Sequence, residues 1–388
     1  LREDLARRDF TVNAMALAAK NQELGIKNQD VVKIGNLTIV DPFGGIRDLD
    51  DKLIRAVGKP EKRFAEDALR LLRAVRLATQ LGFDIEENTQ EAIYTNRELI
   101  KAISQERIRD ELVKIVMSDK PERGFDLLRQ TGLLEIILPE IEECIGVDQN
   151  KHHTFSVYTH CIKSLQYAAK YGYPLHVRLA ALLHDIGKPR TRRPQGNDYT
   201  FHAHDVVGAR MAERLMKKLK FSNDLTKKVV HLCRHHMFYY DVGKVTEAGA
   251  RRLLRRVGKD NFDDLIKLRV AERKGSGVPK AEPYRLRHLQ FLVEKASQEP
   301  LSVKELAITG GDVMKELGLR PGPIIGGILN ALLAKVLDDP TLNKREILLK
   351  MANKLKDEEP QKLKELGEEA KEKEEKRRED DIKRKYYV

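Results

Sequence analysis

Apolar residues recur at helical spacing through most of the chain. Between residues 63 and 83 the repeating positions are Phe64, Ala68, Leu71, Leu72, Val75 and Ala78. A stripe with this spacing predicts an amphipathic helix that carries arginines on its other face. Residues 104–116 repeat the pattern, with Ser104 as the expected N-cap. The same period predicts helices through 150–275, with a loop at 189–200, and through 280–355.

Residues 1–58 differ, because they mix a short helical pattern with alternating segments. Residues 31–34 and 37–40 flank Gly35-Asn36, which predicts a β-hairpin with a two-residue turn. One hairpin is not a stable sheet by itself. We therefore expect either sheet partners upstream or support from other elements. The predicted fold class is mainly α with a small β portion.

Composition narrows the class of protein. The 388 residues contain 72 Lys+Arg and 60 Asp+Glu, a net charge of +12, which favours an anionic partner, most often nucleic acid. No apolar run reaches the roughly eighteen residues of a membrane span, and no signal peptide is evident. Three cysteines fit a reducing compartment, so the expected location is cytoplasmic. The charged residues 357–388 predict a solvated helix or a disordered tail.

Two short segments carry chemistry suited to a nucleotide. Arg7-Arg8-Asp9 places guanidiniums, which suit phosphate oxygens, beside a carboxylate, which suits ribose hydroxyls. Asp67 and Arg70, three apart on the predicted helix, share a face. An acceptor beside a donor suits the Watson–Crick edge of cytosine or adenine. The alternatives are a capped helix start for the first segment and a surface ion pair for the second.

Four segments in order resemble the class II tRNA nucleotidyltransferase and poly(A) polymerase family. They are RRDFTVNAMA (7–16), DPFGGIRDL (41–49), RFAEDALRLLRAVRLATQLGF (63–83) and SQERIRDEL (104–112). The resemblance implies addition of C and A residues, from CTP and ATP, to the tRNA 3′ end. It also implies an α/β head remnant followed by helical neck, HD and C-terminal domains, with DPFGG (41–45) as a flexible joint between head and neck. Poly(A) polymerases and A-only adding variants share these motifs.

The resemblance also assigns residues by position. It implies sugar-phosphate contacts for Arg8 and Asp9, and base pairing for Asp67 and Arg70. Glu66 and Arg73 support that pairing. Asn13 completes the predicted nucleotide-binding set, and Arg63 and Arg76 are expected to meet RNA phosphates.

One part of the family pattern is not in this sequence. The family head begins with a Gly-Ser segment and a DxD carboxylate pair that hold two catalytic Mg²⁺ ions, as two-metal phosphoryl transfer requires. Asp48, Asp50 and Asp51 are not stand-ins, because they follow the joint. We therefore expect the chain to be a fragment that cannot transfer a nucleotide alone. A non-catalytic RNA-binding subunit is a further alternative.

Histidines and carboxylates form a second constellation in residues 150–275. Neutral imidazoles and carboxylates suit Mn, Fe, Ni, Zn or Mg ions. HDIGKP (184–189) and HAHDVVGA (202–209) resemble the HD phosphohydrolase domain. The ligands that this resemblance implies are His160, His184, Asp185, His204 and either His235 or His236. Lys188 would face the phosphate of a substrate such as an RNA 3′ end.

The last carboxylate of the HD pattern differs in residue type from the usual one. Its position reads Glu272, one methylene longer than the usual Asp, and Asp241 and Asp264 are alternatives. A degenerate HD domain kept as a scaffold is the competing interpretation.

The C-terminal half adds a basic surface. Arg251, Arg252, Arg255 and Arg256 form two i,i+4 cation pairs on one predicted helix, which a phosphate backbone would offset. Arg320 lies in ITGGDVMKELGLRPGPIIG (308–326), which resembles a segment that cradles tRNA. The predicted domains are 1–58 (head), 59–145 (neck), 146–280 (HD), 281–356 (tRNA-binding) and 357–388 (tail).

Overall fold

The computed structural model describes residues 1–18, 30–34, 37–149, 155–196, 198–238, 240–277, 283–297 and 303–388. These residues form two compact units. The first unit comprises Leu1–Phe238 and Val257–Ala281, and the second comprises Tyr239–Arg256 and Glu282–Val388. The structure is mainly helical with little strand, so the predicted fold class is confirmed. The finer division into five domains stays a prediction.

The predicted hairpin is present, and it belongs to a larger sheet. Strands β2 (Val31–Ile34) and β3 (Leu37–Val40) pair antiparallel, with Val31 opposite Val40. Strand β1 (Ala16–Ala18) pairs with the other edge of β3, which supplies one sheet partner. The turn Gly35-Asn36 lies outside the described residues. Two further strands, β4 (Leu53–Ile54) and β5 (Asp84–Ile85), pair in parallel.

Nine α-helices come before residue 145 among the described residues. They are α1 (Arg2–Ala6), α2 (Gly45–Asp50), α3 (Pro60–Glu66), α4 (Leu69–Leu81), α5 (Glu87–Asn96), α6 (Gln105–Val116), α7 (Pro121–Gln130), α8 (Leu133–Ile137) and α9 (Pro139–Glu142). The prediction of one continuous helix across 63–83 is wrong, because Asp67 is extended (φ −153°) between α3 and α4. Helix α6 begins after Ser104 as predicted, but the Ser104 side chain makes no capping bond.

The remaining elements of the first unit surround the histidines. They are α10 (Val157–Lys170), α11 (Leu175–Leu183), α12 (Lys188–Thr191), β6 (Arg193–Gln195), β7 (Asp198–Thr200), α13 (His204–Lys218), α14 (Asn223–His235) and, after α15 (Glu247–Val257), α16 (Lys259–Gly275). The predicted loop at 189–200 is instead the end of α12 followed by the antiparallel β6–β7 hairpin.

The second unit is helical throughout its described part. Besides α15 it contains α17 (Tyr284–Ser297), α18 (Gly310–Leu317), α19 (Pro323–Asp338), α20 (Arg345–Leu355) and α21 (Pro360–Tyr386). Its core gathers the buried side chains Val313, Ile328, Leu332, Leu348, Ala352 and Leu363.

The charged tail is an ordered, partly packed helix. Leu363 and Ile382 of α21 are buried, and Lys371 donates to Asn330 Oδ1 of α19 at 3.0 Å. Lys385 and the Tyr386 hydroxyl both bond the Glu294 carboxylate of α17, at 2.7 and 2.6 Å. Of the two predicted alternatives, the structure therefore shows the helix, which is mostly exposed but packs in part on α19 and α17.

None of the described helices has both the length and the apolar character that crossing a membrane requires.

A glycine pair tests the packing of α21 on α19. A Cβ on Gly367 would lie 2.5 Å from Asn330 Cβ, whereas a Cβ on Gly326 would meet nothing within 4 Å. We expect Gly367→Ala to lower the free energy of unfolding by about 1–3 kcal/mol, because the two backbones must separate. Gly326→Ala should leave it unchanged or raise it by up to ~1 kcal/mol. Urea unfolding followed by circular dichroism measures both, and equal effects would contradict this packing.

Candidate nucleotide site and metal centre

The first nucleotide motif is anchored on helix α4. Asp9 is buried, and its Oδ2 lies 2.7 Å from an Arg73 guanidinium nitrogen. Its Oδ1 accepts from the Phe10 backbone N–H at 3.0 Å and from the Asn13 side-chain amide at 3.5 Å. Arg8 is exposed and lies 3.4 Å from Asp4. Three of the predicted nucleotide residues, Asp9, Asn13 and Arg73, thus form one connected group, with Arg8 beside it in sequence.

The second motif sits where the chain breaks between α3 and α4. Asp67 Oδ1 accepts from the Leu69 N–H at 3.1 Å, and its Oδ2 accepts from Arg107 at 2.8 Å. Asp67 and Arg70 therefore do not share a helix face, contrary to the prediction. Burial acts to raise the pKa of Asp67, but the Arg107 and Leu69 hydrogen bonds lower it below its usual value. A charged acceptor is therefore held at the break.

Arg70 is held from several sides. Its guanidinium donates to Glu66 Oε2 at 2.9 Å, to the Arg63 carbonyl at 3.1 Å and to the Arg7 carbonyl at 2.9 Å. The Arg7 contact joins the two motifs, which are far apart in sequence. Arg107 completes the arrangement and was not among the predicted site residues, although it lies inside the quoted motif SQERIRDEL.

Arg63 and Arg76 both make short contacts within the first unit. Arg63 donates to the Ala6 carbonyl at 2.8 Å and to Glu66 Oε1 at 2.6 Å. Arg76 lies 2.7 Å from Glu111 Oε2, and both side chains are largely buried. These contacts favour a structural role for the two arginines rather than the predicted RNA contact.

The histidines and carboxylates of the second constellation come together around Asp185. Asp185 Oδ2 lies 3.5 Å from His160 Nε2 and 3.3 Å from His184 Nε2. Its Oδ1 lies 3.4 Å from His204 Nε2 and 3.6 Å from His236 Nε2. The two imidazole pairs thus face opposite oxygens of one buried carboxylate. Two groups of possible metal ligands result. The first group is His160, His184 and Glu272, and the second group is Asp185, His204 and His236.

Helix termini orient three of the four imidazoles. His184 and His236 follow the last residues of α11 and α14, where carbonyls lack helical partners. The Nδ1 atom of His184 bonds Ala181 O at 2.9 Å, and that of His236 bonds Cys233 O at 2.7 Å. His204, at the start of α13, bonds Phe201 O in the same way at 2.7 Å. Because Nδ1 carries the hydrogen, Nε2 presents its lone pair to the centre.

Charge in the centre is balanced by two cations. The Lys188 ammonium lies 2.7 Å from Asp185 Oδ2 and donates to Gln149 Oε1 at 2.6 Å. Arg269 lies 2.7 Å from Glu272 Oε1. Burial opposes ionisation of both carboxyls, yet these cations hold the pKa of Asp185 well below its usual range and lower that of Glu272 to about 2.

The two imidazoles of the first ligand group have pKa values that are shifted in opposite directions. Burial, and then the neighbouring His184, lower the pKa of His160 to about 3. Burial acts the same way on His184, but the adjacent Asp185 carboxylate raises its pKa above the ordinary value. His160 is therefore a neutral imidazole, the form that binds metals.

The donor set fits a divalent cation. Asp185 Oδ1 is buried and has no hydrogen-bond donor among the described residues. The Nε2 atoms of His160 and His184 lie only 3.1 Å apart, and those of His204 and His236 lie 3.3 Å apart. Lone pairs this close require a proton or a metal ion between them. Imidazole and carboxylate together suit first-row divalent metals.

Three predicted ligands lie elsewhere. His235 is outside the cluster and packs its ring 4.6 Å from that of His231, because adjacent helical residues point about 100° apart. Asp264 pairs with His176 at 2.6 Å, and Asp241 pairs with Arg285 in the second unit at 2.8 Å. Among the alternatives, His236 and Glu272 are therefore the ones that the structure places at the centre.

A cavity of about 530 Å³ opens beside the centre. Its walls include Asp185, Lys188, Phe201, His202, Met237, Arg269 and Glu272. Lys188 Nζ also lies 5.7 Å from the centre of the Phe201 ring. The cavity therefore combines the ion pairs Lys188–Asp185 and Arg269–Glu272 with the apolar side chains Phe201 and Met237. The sequence motifs did not reveal Arg269, which lines the cavity, or Gln149, which accepts a hydrogen bond from Lys188.

The basic residues of the second unit lie on exposed positions. Arg251, Arg252, Arg255 and Arg256 are all exposed on α15, whereas Leu253 and Val257 of the same helix are buried. Arg251 has an acidic neighbour, Glu247, at 3.7 Å. Arg320 is also exposed, between α18 and α19.

Comparison with known proteins agrees with these motifs. Residues 1–55 match the poly A polymerase head domain, residues 82–145 the probable RNA and SrmB-binding site of polymerase A, and residues 203–352 a putative domain 2 of tRNA nucleotidyltransferase. An A-adding tRNA nucleotidyltransferase of Deinococcus radiodurans is 33% identical over 344 residues, which are 86% of this chain and 74% of that protein. The chain belongs to the tRNA nucleotidyltransferase and poly(A) polymerase family.

Other members of this enzyme family are similarly related. A CC-adding tRNA nucleotidyltransferase of Thermus thermophilus is 32% identical over 86% of this chain and 73% of that protein. A multifunctional CCA protein of Neisseria gonorrhoeae is 32% identical over 77% of this chain and 70% of its own. The Bacillus stearothermophilus CCA-adding enzyme, solved with CTP, aligns over 91% of this chain and 74% of its own at 24% identity and a TM-score of 0.48.

The adjacent histidines provide a matched test of the metal centre. We expect His236→Ala to weaken Mn²⁺ or Ni²⁺ binding by more than about tenfold, because a ligand of the Asp185 group is lost. His235→Ala should bind as the unaltered protein does. Isothermal titration calorimetry after removal of metal by a chelator measures both. Equal losses in the two variants would contradict the placement of His236 in the centre.

Proposed function

We propose that the protein adds C and A residues to the tRNA 3′ end, using CTP and ATP, with Asp67 and Arg70 reading the base. The observation that carries this proposal is the helix break at Asp67. The break holds a charged acceptor, whose pKa the Arg70 charge helps to lower, and both residues contact other parts of the same motifs. An acceptor and a donor that both reach one base edge would complement cytosine and adenine alike. Relatives of both the A-adding and the CC-adding kind support the tRNA end as substrate.

The two motifs divide the nucleotide between them in this proposal. The Asp9 carboxylate, which Arg73 and Asn13 hold in place, would accept hydrogen bonds from the ribose hydroxyls. The exposed Arg8 would bind a phosphate. Glu66 keeps Arg70 oriented toward the base. The exposed arginines of α15 and Arg320, all in the second unit, would contact the tRNA backbone.

Base selection is the direct test. Asp67→Ala and Arg70→Ala should reduce CTP-over-UTP and ATP-over-GTP discrimination by about 5- to 150-fold, because each well-placed contact to a base edge contributes about 1–3 kcal/mol. Incorporation with Mg²⁺ is measured on tRNAs that end before CCA, after the first C and after CC. Asp110→Ala, an exposed carboxylate beside Arg109, is the matched control.

The outcomes separate the candidates. Unchanged discrimination in both variants would contradict the template role of Asp67 and Arg70. Processive A addition to an RNA without tRNA structure would instead favour a poly(A) polymerase, and addition of only C or only A would define a specialised member.

We also propose a second activity, metal-dependent hydrolysis of phosphoesters on RNA 3′ ends, in an HD domain. The observation that favours it is the Asp185 cluster with its adjoining cavity. His160, His184, Asp185, His204, His236 and Glu272 would hold a divalent ion, which would supply Lewis-acid stabilisation of the ester's developing charge. Lys188 and Arg269 line the cavity and would hold phosphate oxygens, while Phe201 and Met237 would contact the nucleoside.

Turnover of a 2′,3′-cyclic nucleotide with Mn²⁺, Ni²⁺ or Mg²⁺ tests this activity. Asp185→Asn should reduce it by at least ~100-fold, since the stabilisation at stake is several kcal/mol. Asp264→Asn, whose carboxyl pairs with His176 outside the cluster, is the control. If metal binds and none of these esters is hydrolysed, the domain is a scaffold.

A further inference from the structure

His160 differs from the other three imidazoles in how its Nδ1 is satisfied. His184, His204 and His236 each use a backbone carbonyl three residues earlier, at or beyond a helix end. His160 instead lies in the first turn of α10, where the carbonyl three residues earlier belongs to the helix. Helical carbonyls are occupied by the helix's own N–H groups. A different acceptor is therefore needed to orient this ring.

Ser276 supplies that acceptor. Its hydroxyl lies 3.2 Å from His160 Nδ1 and donates to the Glu272 carbonyl at 3.1 Å. A serine hydroxyl has only one hydrogen to donate. When the Ser276 hydroxyl donates it to the Glu272 backbone carbonyl, its oxygen accepts a hydrogen bond from His160 Nδ1. His160 then carries its hydrogen on Nδ1. Its Nε2 lone pair faces His184 Nε2 and Asp185 Oδ2, at 3.1 and 3.5 Å.

Close backbone packing holds Ser276 in this place. Gly275 precedes it, and a Cβ there would lie 2.3 Å from Ser164 Oγ. Ser164 in turn donates to the His160 carbonyl at 2.7 Å. The end of α16 is thus pressed against α10 at the level of His160, with Ser276 directly after the contact.

We propose that Ser276 is a positioning residue that fixes His160 as the Nδ1–H tautomer, so that Nε2 is available to a divalent cation. The proposal rests on the metal centre described under the proposed function. It assigns to Ser276 the part that backbone carbonyls play for the other three histidines. It also links the carboxylate helix α16 to the first ligand of the group, because the same hydroxyl bonds Glu272 O.

Two measurements on the whole chain test the role of Ser276. In ¹⁵N-histidine NMR spectra of the metal-free protein, His160 should show the Nδ1–H tautomer, and Ser276→Ala should shift it toward Nε2–H. By calorimetry, Ser276→Ala should weaken Mn²⁺ binding by about 10- to 100-fold, as loss of such an orienting partner does. Ser276→Thr keeps the hydroxyl and should restore both properties.

Ser297→Ala is the matched control. Ser297 ends α17 in the second unit, and its hydroxyl donates to Glu294 O at 2.8 Å without contacting a metal-ligand candidate. It should change neither measurement. An Nε2–H tautomer in the unaltered protein, or a Ser276→Ala variant with the same tautomer and affinity, would overturn the proposal. Absence of Mn²⁺ binding by the unaltered protein would instead remove the metal centre, while the tautomer still decides the role of Ser276.

Discussion

One buried carboxylate organises the centre of the first unit. Asp185 has four imidazole nitrogens within 3.6 Å of its oxygens and an ammonium at 2.7 Å. A buried charge is costly unless it is paired, so positive charge must be supplied at this point. Helices α10, α11, α13 and α14 bring their histidines to Asp185, and α16 brings Glu272. Lys188 supplies that charge, and side chains from five helical segments converge on this one carboxylate.

Backbone proximity makes this convergence possible. A Cβ on Gly187 would lie 2.3 Å from the His204 carbonyl and 2.6 Å from the Gly208 nitrogen. Only glycine lets the turn after His184-Asp185 approach the start of α13 so closely. HDIGKP contributes Gly187 and HAHDVVGA contributes Gly208, each in addition to metal-ligand candidates. The two motifs thus pack directly against each other.

The nucleotide motifs are joined by ion pairs and carbonyl contacts rather than by apolar packing alone. Arg73 reaches Asp9, Arg63 reaches the Ala6 carbonyl, and Arg70 reaches the Arg7 carbonyl. Arginine suits such contacts because its planar guanidinium can donate hydrogen bonds to several acceptors at once. The many arginines on α3 and α4 accordingly divide between structural ties and candidate nucleotide contacts, a distinction that sequence motifs do not make.

The spacing of apolar residues and motifs along the sequence determined much of the secondary structure and the order of the sites. The buried stripe from Phe64 to Ala78, the hairpin register at Val31–Val40 and the order of the histidine motifs all follow from spacing along the chain. Tertiary structure alone decided the break at Asp67, since periodicity continues across it. It also decided that His236 rather than His235 enters the centre, because one step along a helix turns a side chain by about 100°. The partners Arg107, Arg269 and Ser276 come from distant segments. The charged tail forms a packed helix only because α19 and α17 offer it a complementary face.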